Sequence, residues 1–139
     1  MLANLLDTDI ISLWAVRHPV VVARVNAQPA GTVATSVMTL EEQLTGWLTA
    51  LRRATANDQR AKAYDRMTLT TTALGRFPIV SVSEAALDRF DLPRAARLNV
   101  GPYDLRIAAI ALELGATVVT RNLRDFNRIP GPTCEDWSA

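Results

Sequence analysis

The chain has 139 residues, of which 49% are hydrophobic, and its 15 basic residues nearly balance its 14 acidic ones. This length predicts one domain over residues 1–139 with one core, and the balanced charge excludes bulk attraction to nucleic acid or membrane, so that such binding requires local patches. The lone Cys134 excludes a disulfide framework and a multi-cysteine metal site, and the N-terminal stretch resembles neither a signal peptide nor a membrane span, so we expect a cytoplasmic protein without membrane attachment.

The first part of the chain predicts two strands, each followed by a helix. Residues 2–6 form a short apolar run that ends at Asp7, which is typical of a buried strand entering a helix through a polar turn. Pro19 opens a second short helix, and residues 32–37 predict the next strand. Thr39 and Glu42 are three residues apart and match a capping box at the start of the helix that follows.

The middle of the chain predicts a polar helical hairpin and then a third strand. Residues 49–74 are rich in Ala, Thr and Arg and contain turn residues near Asn57, so we expect a hairpin that projects from the core and serves as an interface. Residues 77–82 predict the third strand, and Ser83 caps the helix after it. The tryptophans lie on apolar faces, where core or interface roles are expected.

Residues 101–126 predict a buried helix, a strand and a polar loop. Pro102 suits the first helical position and Gly115 the left-handed position past the helix end, with almost only apolar residues between them. Residues 117–120 form a β-branched strand, and Asn122 begins the loop. The tail predicts a short edge strand. Alternating strands and helices favour a three-layer α/β/α sandwich with a central parallel sheet.

Four acids fall where such a sheet collects its strand ends. Asp7 follows the first strand, Glu42 lies in the helix after the second, and Asp104 and Asp125 flank the last helix and strand. Taken singly, Asp7, Asp104 and the nearby Asp9 lie where helix capping or the helix dipole favours a carboxylate, and Glu42 could simply complete its capping box. Together they would repel one another without a cation, and an all-oxygen set suits Mg²⁺ or Mn²⁺. The chemistry indicated is metal-assisted hydrolysis of a phosphodiester.

Five segments together resemble PIN-domain ribonucleases, specifically VapC-type toxins of toxin–antitoxin pairs. These are LLDTDIIS at 5–12, SVMTLEEQLTG at 36–46, GPYDLRIAAIAL at 101–112, VVTRNLRDF at 118–126 and IPGPTCEDW at 129–137. The resemblance covers nearly the whole chain in order and spacing. It implies that Asp7, Glu42 and Asp104 are the core acids that hold the divalent metal and position the attacking water.

The segment after the last long strand departs from part of this family. Many PIN domains have a fourth acid where this chain has Asn122, although many VapC-like members have Asn there too. The alternatives are that Asp125 supplies the fourth catalytic carboxylate or that the site holds only one metal tightly. Asn122 adds no charge but is a candidate for orienting a water or binding the substrate phosphate. Thr120 resembles the family's strand-end hydroxyl near the metal. The basic side chains of this loop are candidates for binding the RNA backbone, and they are Arg121, Arg124 and Arg128.

The resemblance implies an endoribonuclease that cleaves a structured RNA, inhibits translation, forms a homodimer and is neutralised by a VapB-type antitoxin. An alternative is a non-catalytic RNA-binding or protein-interaction module on the same scaffold, which would have little reason to keep all three acids. A phosphatase of the haloacid dehalogenase type ranks lower, since that family needs a downstream lysine and paired aspartates. Here Lys62 is the only lysine, and it lies in the polar hairpin.

Overall fold

The computed structural model describes the backbone of residues 1–139 and every side chain except those of Leu92 and Arg94. Its strands are β1 Asn4–Leu6, β2 Val33–Ser36, β3 Ile79–Val80, β4 Thr117–Val119 and β5 Cys134–Glu135. They form one five-stranded sheet in the order β3-β2-β1-β4-β5, in which every neighbouring pair is parallel. Because β1 lies between β2 and β4, the ends of these three strands meet at one edge.

Helices connect the strands. They are α1 Thr8–Ala15, α2 Pro19–Asn26, α3 Val37–Arg53, α4 Asn57–Leu74, α5 Glu84–Arg89, α6 Leu92–Leu98, α7 Pro102–Leu114 and α8 Leu123–Phe126. As predicted, Pro102 occupies the first turn of α7 and Gly115 ends it in the left-handed conformation, with φ 65°. Ser83 caps α5 by accepting a hydrogen bond from the Ala86 N–H.

The core lies on both faces of the sheet because successive strand residues point to opposite sides. Leu5 and Val118 pack into the cluster that α7 covers, whereas Leu6 and Val119 pack into the cluster around α1 and α2. Trp137 is fully buried in the second cluster. Helices on each face of a parallel sheet confirm the predicted three-layer α/β/α sandwich.

The predicted capping box at Thr39 and Glu42 is wrong. The helix α3 begins at Val37, directly after β2, and Ser36 is its N-cap, whose hydroxyl accepts from the Thr39 N–H at 3.4 Å. Ser36 is both the last strand residue and a good capping residue, so the helix starts earlier than the pattern suggested. This moves Glu42 into the second turn of α3.

Two other predictions need adjustment. The predicted loop after β4 folds into the one-turn helix α8, with Asn122 at its N-cap position. The predicted hairpin is confirmed as α3 and α4, but α4 returns to the body of the fold and packs against α1 as well as α3. Its buried residues include Thr70, Ala73 and Leu74 near its C-terminal end, so only the tip of the hairpin projects. Among the residues searched, no helix is both long enough and apolar enough to span a membrane.

Candidate active site

The site is built first from the two adjacent central strands. Asp7 directly follows β1 and is the N-cap of α1, with its Oδ1 accepting from the Thr8 N–H at 2.7 Å. Thr120 directly follows β4, is fully buried, and donates its hydroxyl proton to Asp7 Oδ2 at 2.8 Å. The pairing of β1 with β4 therefore fixes the Asp7 carboxylate, which is 6% exposed, in one orientation.

The helix α7 brings a second acid to the same edge. Because α7 leads directly into β4 and runs antiparallel to it, Asp104 in its first turn lies beside the residues that follow β4. The side-chain amide of Asn122 donates to Asp104 Oδ2 at 3.3 Å and to Asp125 Oδ2 at 3.0 Å. The structure thus brings together Asp104, Asn122 and Asp125, as the sequence predicted.

Glu42 approaches this group from α3. It is half-buried, and its negative charge is the strongest electrostatic influence that any single acid exerts on Asp104. It reaches the site from the second turn of the helix that follows β2, the strand on the other side of β1 from β4. Three different elements therefore carry the predicted core acids to one edge of the sheet.

The pKa values of two acids are far above the ordinary aspartate range. Burial, followed by the nearby charge of Asp9, raises the pKa of Asp7 from 3.8 to about 7, despite the hydrogen bond from Thr120. Burial, followed by the charges of Glu42 and Asp125, raises the pKa of Asp104 to about 6. Carboxylates gathered without a cation disfavour one another's ionisation, and such perturbed groups concentrate at functional sites.

Asp9 is a member of the site that the sequence analysis did not select. Its Oδ2 accepts from the Arg121 N–H at 3.0 Å, and its pKa is raised chiefly by burial. Its Oδ1 is buried and has no hydrogen-bond partner among the described residues. Its position two residues after Asp7, in the same turn, could have indicated a site residue. The sequence analysis instead explained Asp9 as an ordinary acid at a helix N-terminus.

The basic residues of the α8 segment differ in what they contact. Arg128 Nη1 lies 3.4 Å from Asp125 Oδ1 and donates to the Asn99 carbonyl at 3.3 Å, so it partly neutralises Asp125. Arg121 is exposed, and its charge acts on Asp9. Arg124 is exposed on α8. Arg121 and Arg124 thus remain accessible to an anionic ligand, while Arg128 is engaged with its neighbours.

The donor set fits the divalent cation that the sequence predicted. The acids, Thr120 and Asn122 all offer side-chain oxygen, which Mg²⁺ and Mn²⁺ prefer, and the unpartnered Asp9 Oδ1 leaves a buried acceptor unused. In the part of the chain that the structure describes, no three acidic, histidine or cysteine side chains are already grouped closely enough to ligate one ion. Mg²⁺ commonly binds through one or two carboxylates and keeps several waters, so an open arrangement suits it.

Comparison with solved structures agrees with this architecture. The chain superposes on a chain of the crystal structure of DNA-bound VapBC from Salmonella typhimurium with a TM-score of 0.77. The two are 28% identical, and the alignment covers 99% of each.

Similarity to characterised proteins is closer but local. The chain is 60% identical over 38 residues to a tRNA(fMet)-specific endonuclease VapC from Salmonella typhimurium, and 46% identical over 50 residues to one from Shigella flexneri. These segments span 27% and 36% of this chain, and only 29% and 37% of the two relatives. The sequence profile of the PIN domain, in contrast, matches residues 5–132. The chain therefore belongs to the PIN-domain family.

Proposed function

We propose that this protein is a VapC-type toxin, a metal-dependent endoribonuclease that cleaves a structured RNA and thereby inhibits translation. The observation that carries the proposal is the convergence of Asp7, Glu42 and Asp104 on one sheet edge, where burial and mutual repulsion raise the pKa values of both aspartates. Residues 1–139 act as one PIN domain. The setting is the cytoplasm, where transfer and ribosomal RNA are found.

The core acids and the residues hydrogen-bonded to them have different roles. Asp7, Glu42 and Asp104 would hold Mg²⁺ or Mn²⁺. When bound, the ion supplies an activated water and charge stabilisation at the phosphodiester. Thr120 orients Asp7 through its 2.8 Å hydrogen bond, and Asn122 fixes Asp104 and Asp125 relative to each other. Supporting hydrogen bonds of this kind orient metal ligands and sustain their affinity.

The exposed arginines next to the acids are suited to the RNA backbone. Arg121 and Arg124 offer planar guanidinium groups for bidentate phosphate contacts, within the segment that also carries Asn122 and Asp125. The local identity to tRNA(fMet)-specific endonucleases supports a structured RNA, such as a transfer or ribosomal RNA, as the substrate.

The partners follow from the solved relative. Its structure is that of a VapBC complex, which supports a VapB-type antitoxin as the partner that neutralises this toxin. We also propose that the chain forms a homodimer, as the sequence resemblance implies.

The deciding experiment is cleavage of total cellular RNA by the purified chain in Mg²⁺ or Mn²⁺. We expect discrete fragments that disappear with EDTA and with Asp104→Asn, and that persist with Asp65→Asn, which alters an exposed acid of α4. A folded chain that binds metal and RNA but yields no fragments would contradict the nuclease and favour the alternative, a non-catalytic binding module on a PIN scaffold.

A further inference from the structure

A second site lies away from the acids, between α3 and α4. The two helices of the hairpin line an open pocket of about 490 Å³, within the range of volumes that small-ligand sites occupy. Its apolar lining includes Trp47, Ala50 and Ala63, and its basic lining consists of Arg53, Lys62 and Arg66. No carboxylate lines it. An aromatic ring among cations without acids is the composition that binds an anionic, planar group.

Among the described residues, the basic side chains of this pocket and the Trp47 indole are not engaged elsewhere, whereas the Gln59 side chain, which also lines the pocket, accepts hydrogen bonds from Thr55. Arg53, Lys62 and Arg66 are exposed, and within the described part of the chain no salt bridge involves them. The indole Nε1 of half-buried Trp47 is buried and lacks a hydrogen-bond partner among the described residues. The pocket therefore has unused capacity for both charge and hydrogen bonding.

One face of α3 connects this pocket with the acidic edge. Glu42, Gly46, Thr49 and Arg53 are spaced four, three and four residues apart, so they lie on the same side of the helix. At 1.5 Å per residue, Arg53 is about 16 Å along the axis from Glu42. Gly46 is exposed and has nothing within 4 Å of where a Cβ would stand, so the middle of this face is open. A few nucleotides of single strand span such a length.

We propose that the pocket between α3 and α4 binds a nucleotide of single-stranded RNA that flanks the scissile phosphate. The base stacks on Trp47, and the adjoining phosphates pair with Arg53, Lys62 and Arg66. The strand crosses the open face at Gly46 on its way to the acids. This inference rests on the proposed function, because it assigns the pocket to the same RNA that the acidic edge cleaves.

The test uses the full chain carrying Asp104→Asn, so that RNA stays intact, and a labelled single-stranded oligonucleotide of about ten nucleotides, a length typical of single-strand sites. We expect Arg53→Glu to weaken binding about tenfold and to lower the dependence of log affinity on log salt by about 0.7. The matched control is Arg52→Glu, which makes the same charge change on the neighbouring exposed residue outside the pocket and should alter binding less than about twofold.

Tryptophan fluorescence reports whether the pocket itself is occupied. The oligonucleotide should quench emission in the chain that retains Trp47, and Trp47→Phe should remove the quenching while Trp14 and Trp137 remain as emitters. Equal affinities for Arg53→Glu and Arg52→Glu, or quenching that survives Trp47→Phe, would overturn the inference. Loss of antitoxin binding by Arg53→Glu with unchanged RNA affinity would also overturn it, and would assign the pocket to a protein.

The outcomes separate this inference from the proposed function. If the chain with Asp104 intact cleaves RNA equally well with Arg53→Glu and with Arg52→Glu, the nucleotide pocket fails and the nuclease stands. If the oligonucleotide quenches Trp47 and Arg53→Glu weakens its binding, but the intact chain never cleaves RNA in Mg²⁺ or Mn²⁺, the nuclease fails and the nucleotide pocket stands.

Discussion

The acidic edge and the tip of the α3–α4 hairpin differ in how their polar side chains are placed, since those of the edge are buried and hydrogen-bonded and those of the tip are exposed. At the edge, Asp7 and Thr120 are almost completely buried and joined by a hydrogen bond. At the tip, Arg53 and Lys62 are exposed and make no salt bridge among the described residues. The sheet topology fixes the geometry of the first region, whereas surface composition defines the second. Changes at the edge should therefore affect chemistry, and changes at the tip should affect affinity.

The acidic edge also has an energetic signature. Raised pKa values at Asp7 and Asp104 mean that the folded chain disfavours their ionised forms. Groups that oppose folding in this way are retained where they serve chemistry, as perturbed groups at active sites do. If substitution of these acids changed the stability of the fold but not RNA cleavage, this difference between the edge and the tip would be contradicted.

The largest effect is expected from neutralising Asp7. Asp7→Asn removes a charge from the proposed metal site while keeping a side chain of similar shape, so cleavage should fall on the order of 10³-fold, equivalent to several kcal/mol of transition-state stabilisation. Thermal unfolding at neutral pH without metal should occur at the same temperature or higher, because a disfavoured buried charge is gone. RNA cleavage and calorimetry on the same preparation check both expectations. An active variant, or an inactive one that is also unfolded, would contradict the claim that Asp7 acts in cleavage and not in stability.

The second effect is a dependence of stability on pH. The folded pKa of Asp7, about 7, lies above its value of 3.8 outside the fold, so the folded state binds this proton more tightly. Protonation of Asp7 therefore stabilises the fold fully below its unfolded pKa, and this stabilisation is lost as the pH rises through its folded pKa. Each pKa unit between the two values corresponds to about 1.4 kcal/mol. Without divalent cation, stability should therefore fall across this window.

This contribution can be isolated by comparing variants in thermal denaturation at each pH. The difference between the wild type and Asp7→Asn should grow as the pH rises, and Mg²⁺ should reduce the difference by neutralising the carboxylates. The control is Asp65→Asn, which makes the same substitution at an exposed acid of α4 outside the acidic edge. Parallel profiles for the wild type and Asp7→Asn would contradict the raised pKa.

A third and smaller effect tests the hydrogen bond beneath the acid. Thr120→Val keeps the shape of a fully buried side chain but removes the proton donated to Asp7 Oδ2 and the acceptor of the Asn122 N–H. We expect cleavage to fall about tenfold to a hundredfold, as for other partners that orient metal ligands. Cleavage by the variant should be partly restored at higher Mg²⁺ concentration. A loss of cleavage that no Mg²⁺ concentration restores would contradict this role and indicate a misfolded edge.

Much of the edge was predictable because strand ends in a parallel sheet share one side. Asp7, Asp104 and Asn122 follow from local patterns plus that single rule. Glu42 was also placed correctly at this edge, from its position in the helix after β2, although Ser36 caps α3 and the helix begins earlier than the predicted capping box implied. Pattern rules locate an acid along the chain, but the helix start decides which face it occupies.

Other features depend on contacts that no local pattern contains. Asp9 was interpreted as an ordinary helix-terminal acid, yet its carboxylate accepts from the backbone of Arg121, 112 residues away. Arg128 was a candidate for RNA binding, and its pairing with Asp125 and Asn99 appears only once α8 has formed. The pocket at Trp47 requires the packing of α3 against α4. Long-range packing, not composition, determines each of these.

The smallest effect is expected in the hairpin, where one substitution should raise the free energy of unfolding. Gly46 lies inside α3, is exposed, and has no atom within 4 Å of an added Cβ. Gly46→Ala should therefore stabilise the fold by about 0.5–1 kcal/mol, because alanine loses less backbone freedom in a helix. Gly115→Ala is the matched control and should destabilise, since Gly115 has φ +65°. Denaturant unfolding of both variants measures the difference. A destabilising Gly46→Ala would mean that the open face of α3 is already covered, by a second copy of the chain for example, and would remove the proposed path for RNA.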